Sequence, residues 1–219
     1  MNDPAHIRLT MVDSQLRPNK VTNPALLSAF LALPRERFVP EQMRGAAYLD
    51  EDLPIGRGRY LLEPMVLARL LQAASVRPDD SVLVLGCGTG YSAAVLGRLA
   101  RSVIAVESEA DFARQAKALL QELGIRNVTM VEQSPVPGYA AHAPYDVILL
   151  DGAVAELPTA LIEQLGGNGR LVGVVKPRPD VMGHAILVER VGGGVSRRTL
   201  FEAASHVLPG FAAEPTFSF

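Results

Sequence analysis

The apolar positions of this chain follow two rhythms. From about Thr10 to Met43 they recur at helical spacing, as in "TNPALLSAFLALP", where Thr22 or Asn23 can cap the first turn and Pro34 stops the helix. Residues Tyr48 to Pro64, "YLDEDLPIGRGRYLLEP", break that rhythm with acidic residues, prolines and glycines, which predicts an ordered loop rather than a helix or a central strand. Pro64 then suits the first turn of another helix, "MVLARLLQAAS".

Beyond Asp80 short strand-like runs alternate with helical segments: "SVLVLG", "YSAAVLGRLA", "SVIAVE", "ADFARQAKALLQELG", "NVTMVE", "YDVILLDG", "LPTALIEQLGG" and "RLVGVV". Such alternation predicts an α/β fold, a mostly parallel sheet with helices on both faces. The tail, "HAILVERVGGGVSRRTLFEAASHVL", has two β-rich runs around Gly192, Gly193 and Gly194, which predicts an antiparallel hairpin closing the sheet. The expected organisation is a helical segment with its loop over residues 1–75 and an α/β domain over residues 76–219, packed as one unit.

Composition narrows the picture. With 219 residues, 48% of them hydrophobic, the chain can bury a substantial core, and a formal net charge of −2 gives no general electrostatic reason to expect a nucleic acid or an anionic membrane as partner. Every apolar run is interrupted before the roughly 18 residues that a membrane-spanning helix needs. A lone Cys87 cannot form an internal disulfide, and the start "MNDPAHIRLT" lacks the pattern of a secretory signal, so the expected location is cytoplasmic. His6, His142, His184 and His206 lie far apart in sequence without metal-ligand spacing, and no metal site is expected.

The chemistry concentrates in "SVLVLGCGTGYSAAVLG". A strand that feeds a glycine-rich turn and then a helix brings backbone N–H groups close to a ligand, and Gly86, Gly88 and Gly90 let that ligand approach the main chain. The dinucleotide fingerprint wants a glycine or alanine where this chain has Tyr91, so G-x-G-x-G suits a nucleoside without phosphates better, and a nicotinamide-linked oxidoreductase is disfavoured. Glu107 ends the second strand of the domain, where an acidic side chain accepts hydrogen bonds from ribose hydroxyls. S-adenosylmethionine, whose adenosine carries no phosphate, matches both features. Cys87 is expected as a small residue lining the cofactor loop rather than as a nucleophile.

Several stretches resemble the protein-L-isoaspartate O-methyltransferases, a divergent bacterial member being the implied type. "MVDSQLRPNKVTNPALLSAFLALPRERFVP" is similar to that family's helical opening segment, and "AYLDEDLPIGRG" to its distinctive loop. "VLVLGCGTGYSAAVL", "GIRNVTMVEQSPVPGY", "APYDVILLDGA" and "LPTALIEQLGGNGRLVGVV" follow in the family's order. The resemblance implies a Rossmann-like methyltransferase fold and transfer of a methyl group from S-adenosylmethionine to the free carboxylate of isoaspartyl residues in damaged proteins, a repair reaction that leaves S-adenosylhomocysteine.

The resemblance also implies site residues. Gly86, Cys87, Gly88, Gly90, Tyr91, Glu107, Ser108, Gln133, Ser134 and Asp151 map to the cofactor site; Asp50, Arg57, Arg59, Tyr60 and Leu62 map to the acceptor side. Tyr60 and Leu62 stand where the family has hydroxyl residues that hold the acceptor carboxylate. Val84 replaces an acidic residue before the glycine turn, Ser134 in "QSP" replaces the aspartate that reaches the adenine amino group, and Asp151 stands at a threonine position. Arg57 and Arg59 flank Gly58 and are candidates to grip the acceptor carboxylate, since a guanidinium fork suits that geometry. Asp50, with Glu51 and Asp52, is a candidate for peptide backbone contacts. Two alternatives stay open: a methyltransferase with a different acceptor, and a binding protein that has lost transfer.

Overall fold

In a computed structural model of the chain, described for residues 3–212, helix α1 (Pro4–Met11) starts behind Asp3, whose carboxylate accepts the Ala5 N–H at 3.0 Å. It runs on as a π-helical turn, Val12–Leu16. Asn23 caps α2 (Pro24–Ala32) by accepting the Leu26 N–H at 3.1 Å, and Leu33 leaves the helix in an extended conformation, as a residue before proline must. Two 3-10 turns, Arg35–Phe38 and Glu41–Ala46, lead to the loop expected over residues 48–64. That loop holds an antiparallel hairpin of its own, β1 (Leu53–Gly56) and β2 (Arg59–Leu61), followed by α3 (Pro64–Ala74).

The α/β part runs β3 (Ser81–Leu85), α4 (Tyr91–Gly97), β4 (Ser102–Glu107), α5 (Ala110–Glu122), β5 (Val128–Glu132), β6 (Tyr145–Val154), α6 (Thr159–Glu163), β7 (Leu165–Val175), β8 (Gly183–Val191) and β9 (Gly194–Ala203). The seven strands stand in the order β5-β4-β3-β6-β7-β8-β9, parallel as far as β7 and antiparallel after it. This is the Rossmann-like arrangement with an antiparallel closing hairpin. Gly192 and Gly193, at φ 59° and 83°, make the tight turn between β8 and β9 that only glycine adopts without cost. Chain order reverses beside β3, which pairs with β4 on one side and β6 on the other, so a crevice opens at the carboxyl ends of these strands.

β3 is buried on both faces and therefore reads as a nearly unbroken apolar run. On one face Val82 and Val84 join Val147, Leu149 and the N-terminal Phe30, Phe38, Leu67 and Leu70. On the other, Leu83 and Leu85 join Ile148, Leu150, Leu161 and Leu208. Buried Arg35 ties the N-terminal part together: its Nε donates to the Ala47 carbonyl at 2.7 Å, its guanidinium also donates to the Leu62 carbonyl at 2.6 Å, and it lies over the Tyr91 ring at 4.8 Å. After β9 the chain returns along the end of β6, with the Leu208 N–H donating to Ala153 and the Ala153 N–H to His206, both at 2.8 Å. Among the described residues no helix is long and apolar enough to cross a membrane, and no group of side chains is placed to hold a metal ion.

Candidate active site

The glycine turn lies between β3 and α4 at the crevice. Gly86, Gly88 and Gly90 take φ of 77°, 53° and 92°, values that side chains other than glycine rarely adopt. Gly90 also needs to be small, because a methyl group there would stand 2.8 Å from Ala116 Cβ on α5.

Glu107, at the end of β4, faces the turn and is wholly buried. One carboxylate oxygen accepts the Gly88 N–H at 2.7 Å and the Arg59 guanidinium at 2.5 Å; the other accepts the Glu109 N–H at 3.0 Å and faces the Ser108 hydroxyl at 3.4 Å. Its hydrogen-bonding capacity is thus met by the protein's own groups. Arg59 is only 2% exposed and its second terminal nitrogen, Nη1, has no partner. Burying an ion pair away from water costs desolvation of both charges, and removing one partner leaves the other uncompensated.

Other groups crowd the same face. A methyl group on Gly86 would meet Leu208 Cδ2 at 2.8 Å and Arg59 Nη2 at 3.1 Å; on Gly152 it would meet Leu208 at 2.7 Å; on Gly88, Ile55 Cδ1 at 2.7 Å. Tyr60 stacks on His206 with ring centroids 3.5 Å apart and planes 6° from parallel. Asp52 accepts N–H bonds from Glu63 at 2.8 Å and from His206 at 3.2 Å. What remains among Asp52, Arg59, Leu62, Asp151, His206 and Leu208 is a cavity of about 10 Å³, space for one water at most.

Asp151 on β6 is buried and accepts a hydrogen bond from the Ser92 hydroxyl at 2.5 Å. Burial pushes its carboxyl up to about 7. Glu63 is likewise raised to about 7, by burial first and then by Asp50 and Asp52, while burial also raises Asp50. Burial, reinforced by Glu107, lifts the Cys87 thiol well above its ordinary range, so Cys87 is not an activated nucleophile.

The structure thus brings Gly86, Cys87, Gly88, Glu107, Ser108, Arg59, Tyr60, Leu62 and Asp151 to one crevice. Two expectations need correction. Tyr91 does not line the ligand face: its ring packs edge-on against Phe30 and Phe38, 6.0 and 5.3 Å away, because the helix turns it into the N-terminal core. Arg57 points outward to Glu109 and Asp111 at the start of α5, and Arg59 points inward to Glu107, so the two guanidinium groups do not converge on one acceptor carboxylate. Gln133 and Ser134 follow β5 beside Glu107, whose backbone carbonyl accepts the Gln133 N–H at 3.1 Å; the Gln133 side chain donates to the Gly138 carbonyl at 3.0 Å and the Ser134 hydroxyl faces the Val136 N–H at 3.5 Å. Ile55, His206, Leu208, Ser92 and Glu63 were not anticipated. Their role comes from chain return and packing, which leave no local motif.

The protein-L-isoaspartate(D-aspartate) O-methyltransferase family model matches residues 9–201. A relative from Gloeobacter violaceus named protein-L-isoaspartate O-methyltransferase is 38% identical over 189 residues, 86% of this chain and 92% of its own. The chain belongs to this family. A second protein-L-isoaspartate O-methyltransferase, from Koribacter versatilis, is 39% identical over 88% of this chain and 85% of its own length. Among solved structures, one protein-L-isoaspartate O-methyltransferase superposes with a TM-score of 0.80 over 96% of this chain and 67% of that one, at 24% identity. A Plasmodium falciparum protein assigned to the same activity, in complex with S-adenosyl-L-homocysteine, gives 0.78 over 95% of this chain and 99% of that one, at 17% identity. At such identities these superpositions establish the fold.

The family's methyl donor can be tested against the crevice. The polar anchors suit it: a glycine turn and a carboxylate one strand away. The volume does not, because Arg59 and Leu208 stand where a nucleoside would lie over Gly86.

Proposed function

We propose that the chain transfers a methyl group from S-adenosylmethionine to the free carboxylate of isoaspartyl residues in proteins, in the cytoplasm. The observation that carries this reading is its 38% identity to a named protein-L-isoaspartate O-methyltransferase over nearly the whole of both chains. The crevice at the strand reversal, with its glycine turn and Glu107, supports a nucleoside-bearing donor. An acceptor carboxylate is already ionised near neutral pH, its ordinary pKa being about 4, so the reaction needs alignment and not a general base. Binding must first open the crevice.

One set of residues favours a second acceptor. Leu62 offers no hydroxyl, both loop arginines are paired, and Asp52 and Asp151 line the remaining space. Such a lining suits a neutral or cationic acceptor better than a second carboxylate.

The deciding experiment offers labelled S-adenosylmethionine to a peptide with one isoaspartate and to its normal-aspartate twin. Label on the isoaspartyl peptide alone is the expected result. Label on neither excludes repair activity and directs attention to the other acceptor class.

A further inference from the structure

The β1–β2 hairpin and the returning segment 205–211 meet over the glycine turn. From the hairpin, Arg59 enters the crevice and takes Glu107; from the segment, Leu208 covers Gly86 and Gly152. The two pieces hold each other: Tyr60 stacks on His206, and Asp52, just before β1, accepts the His206 N–H. Arg57 adds ion pairs from the hairpin tip to Glu109 and Asp111.

We propose that Arg59 and Leu208 form an internal occupant of the cofactor crevice, with Arg59 competing against the donor's ribose for the Glu107 carboxylate. This rests on the reading of the crevice as an S-adenosylmethionine site. Glu107 has two oxygens, and both are fully engaged by protein groups, so a ribose diol gains its bonds only after the Arg59 pair breaks. The unpartnered Arg59 Nη1 makes the closed arrangement imperfect: a buried donor without an acceptor favours release. Apparent affinity for the ligand falls by the fraction of molecules that are open, so the occupant sets how much donor the protein needs.

The test is calorimetric titration of S-adenosylhomocysteine, which binds without reacting, into the native chain, Arg59→Gln and Leu208→Ala. Glutamine can still donate to Glu107, which limits the destabilisation, and Leu208→Ala opens the space without touching the ion pair. Both variants are expected to bind about tenfold more tightly than the native chain. Within a Glu107→Gln background, Arg59→Gln is expected to give no gain, whereas a mere loosening of the fold would give the same gain there. Equal or weaker binding by both variants, or no binding by any form, overturns the proposal, and a gain in Leu208→Ala alone overturns the part given to Arg59. Transfer to the isoaspartyl peptide is scored separately. Tighter binding without transfer leaves the occupant and removes the acceptor reading; transfer by the native chain with unimproved variants does the reverse.

Discussion

At the scale of single residues the informative group is Asp151. Its carboxyl, ordinarily near 3.8, is held at about 7 by burial, with Ser92 as its hydrogen-bond donor. Folding therefore takes up a proton between those two values: the stabilisation is complete below the unfolded value and is lost as pH rises through about 7. Across that window the loss is at most about 4 kcal/mol, from a shift of about three units. Asp151→Asn, which cannot ionise, is expected to be more resistant to urea than the native protein at about pH 8 and to show a flatter change of midpoint from about pH 5 upward. A native midpoint that is constant across this range would contradict the buried, protonated state.

Among the elements, the hairpin β1–β2 matters most. Arg57 at its tip has φ 52°, a left-handed conformation that costs a residue with a side chain roughly 1 kcal/mol. Its ion pairs with Glu109 and Asp111 are exposed, and exposed pairs contribute little. Comparing Arg57→Gly with Arg57→Ala isolates the backbone: both lose the charges, but glycine relieves the conformation and is expected to be more stable by about 1 kcal/mol in chemical denaturation. Equal stabilities would show that the turn relaxes freely. The sequence announced this element only as a loop, because strands of four and three residues offer too few positions for an alternating pattern. The long elements were far more legible. β3, α5 and the β8–β9 pair each carry a strong period, a two-sided apolar run or a diglycine turn, and Asn23 with Pro34 bounded α2 correctly. The glycine turn and Glu107 were also readable, as they are consecutive features of one βαβ unit. Arg59 was singled out for the wrong partner: sequence shows a charge near a glycine, whereas only folding places it beside Glu107, 48 residues away.

For the molecule as a whole, the sheet sets the site and the N-terminal segment and returning tail close it. Helices and hairpin from residues 4–74 cover one face, and segment 205–211 settles across the end of β6, so the hairpin and the returning segment meet over the site. Beneath that closure lies the chain's one cysteine, 2% exposed and with its thiol held mostly protonated by burial and by Glu107. An alkylating reagent in native buffer can reach Cys87 only through the closure or through global unfolding, and it meets little thiolate until then. Labelling of the native protein is expected to be slow, and faster in Arg59→Gln at matched stability, as followed by mass spectrometry; equal rates would place the opening elsewhere. The lone sulfur thus serves as a chemical clock inside the molecule, counting how often its lid lifts without any substrate or ligand being supplied.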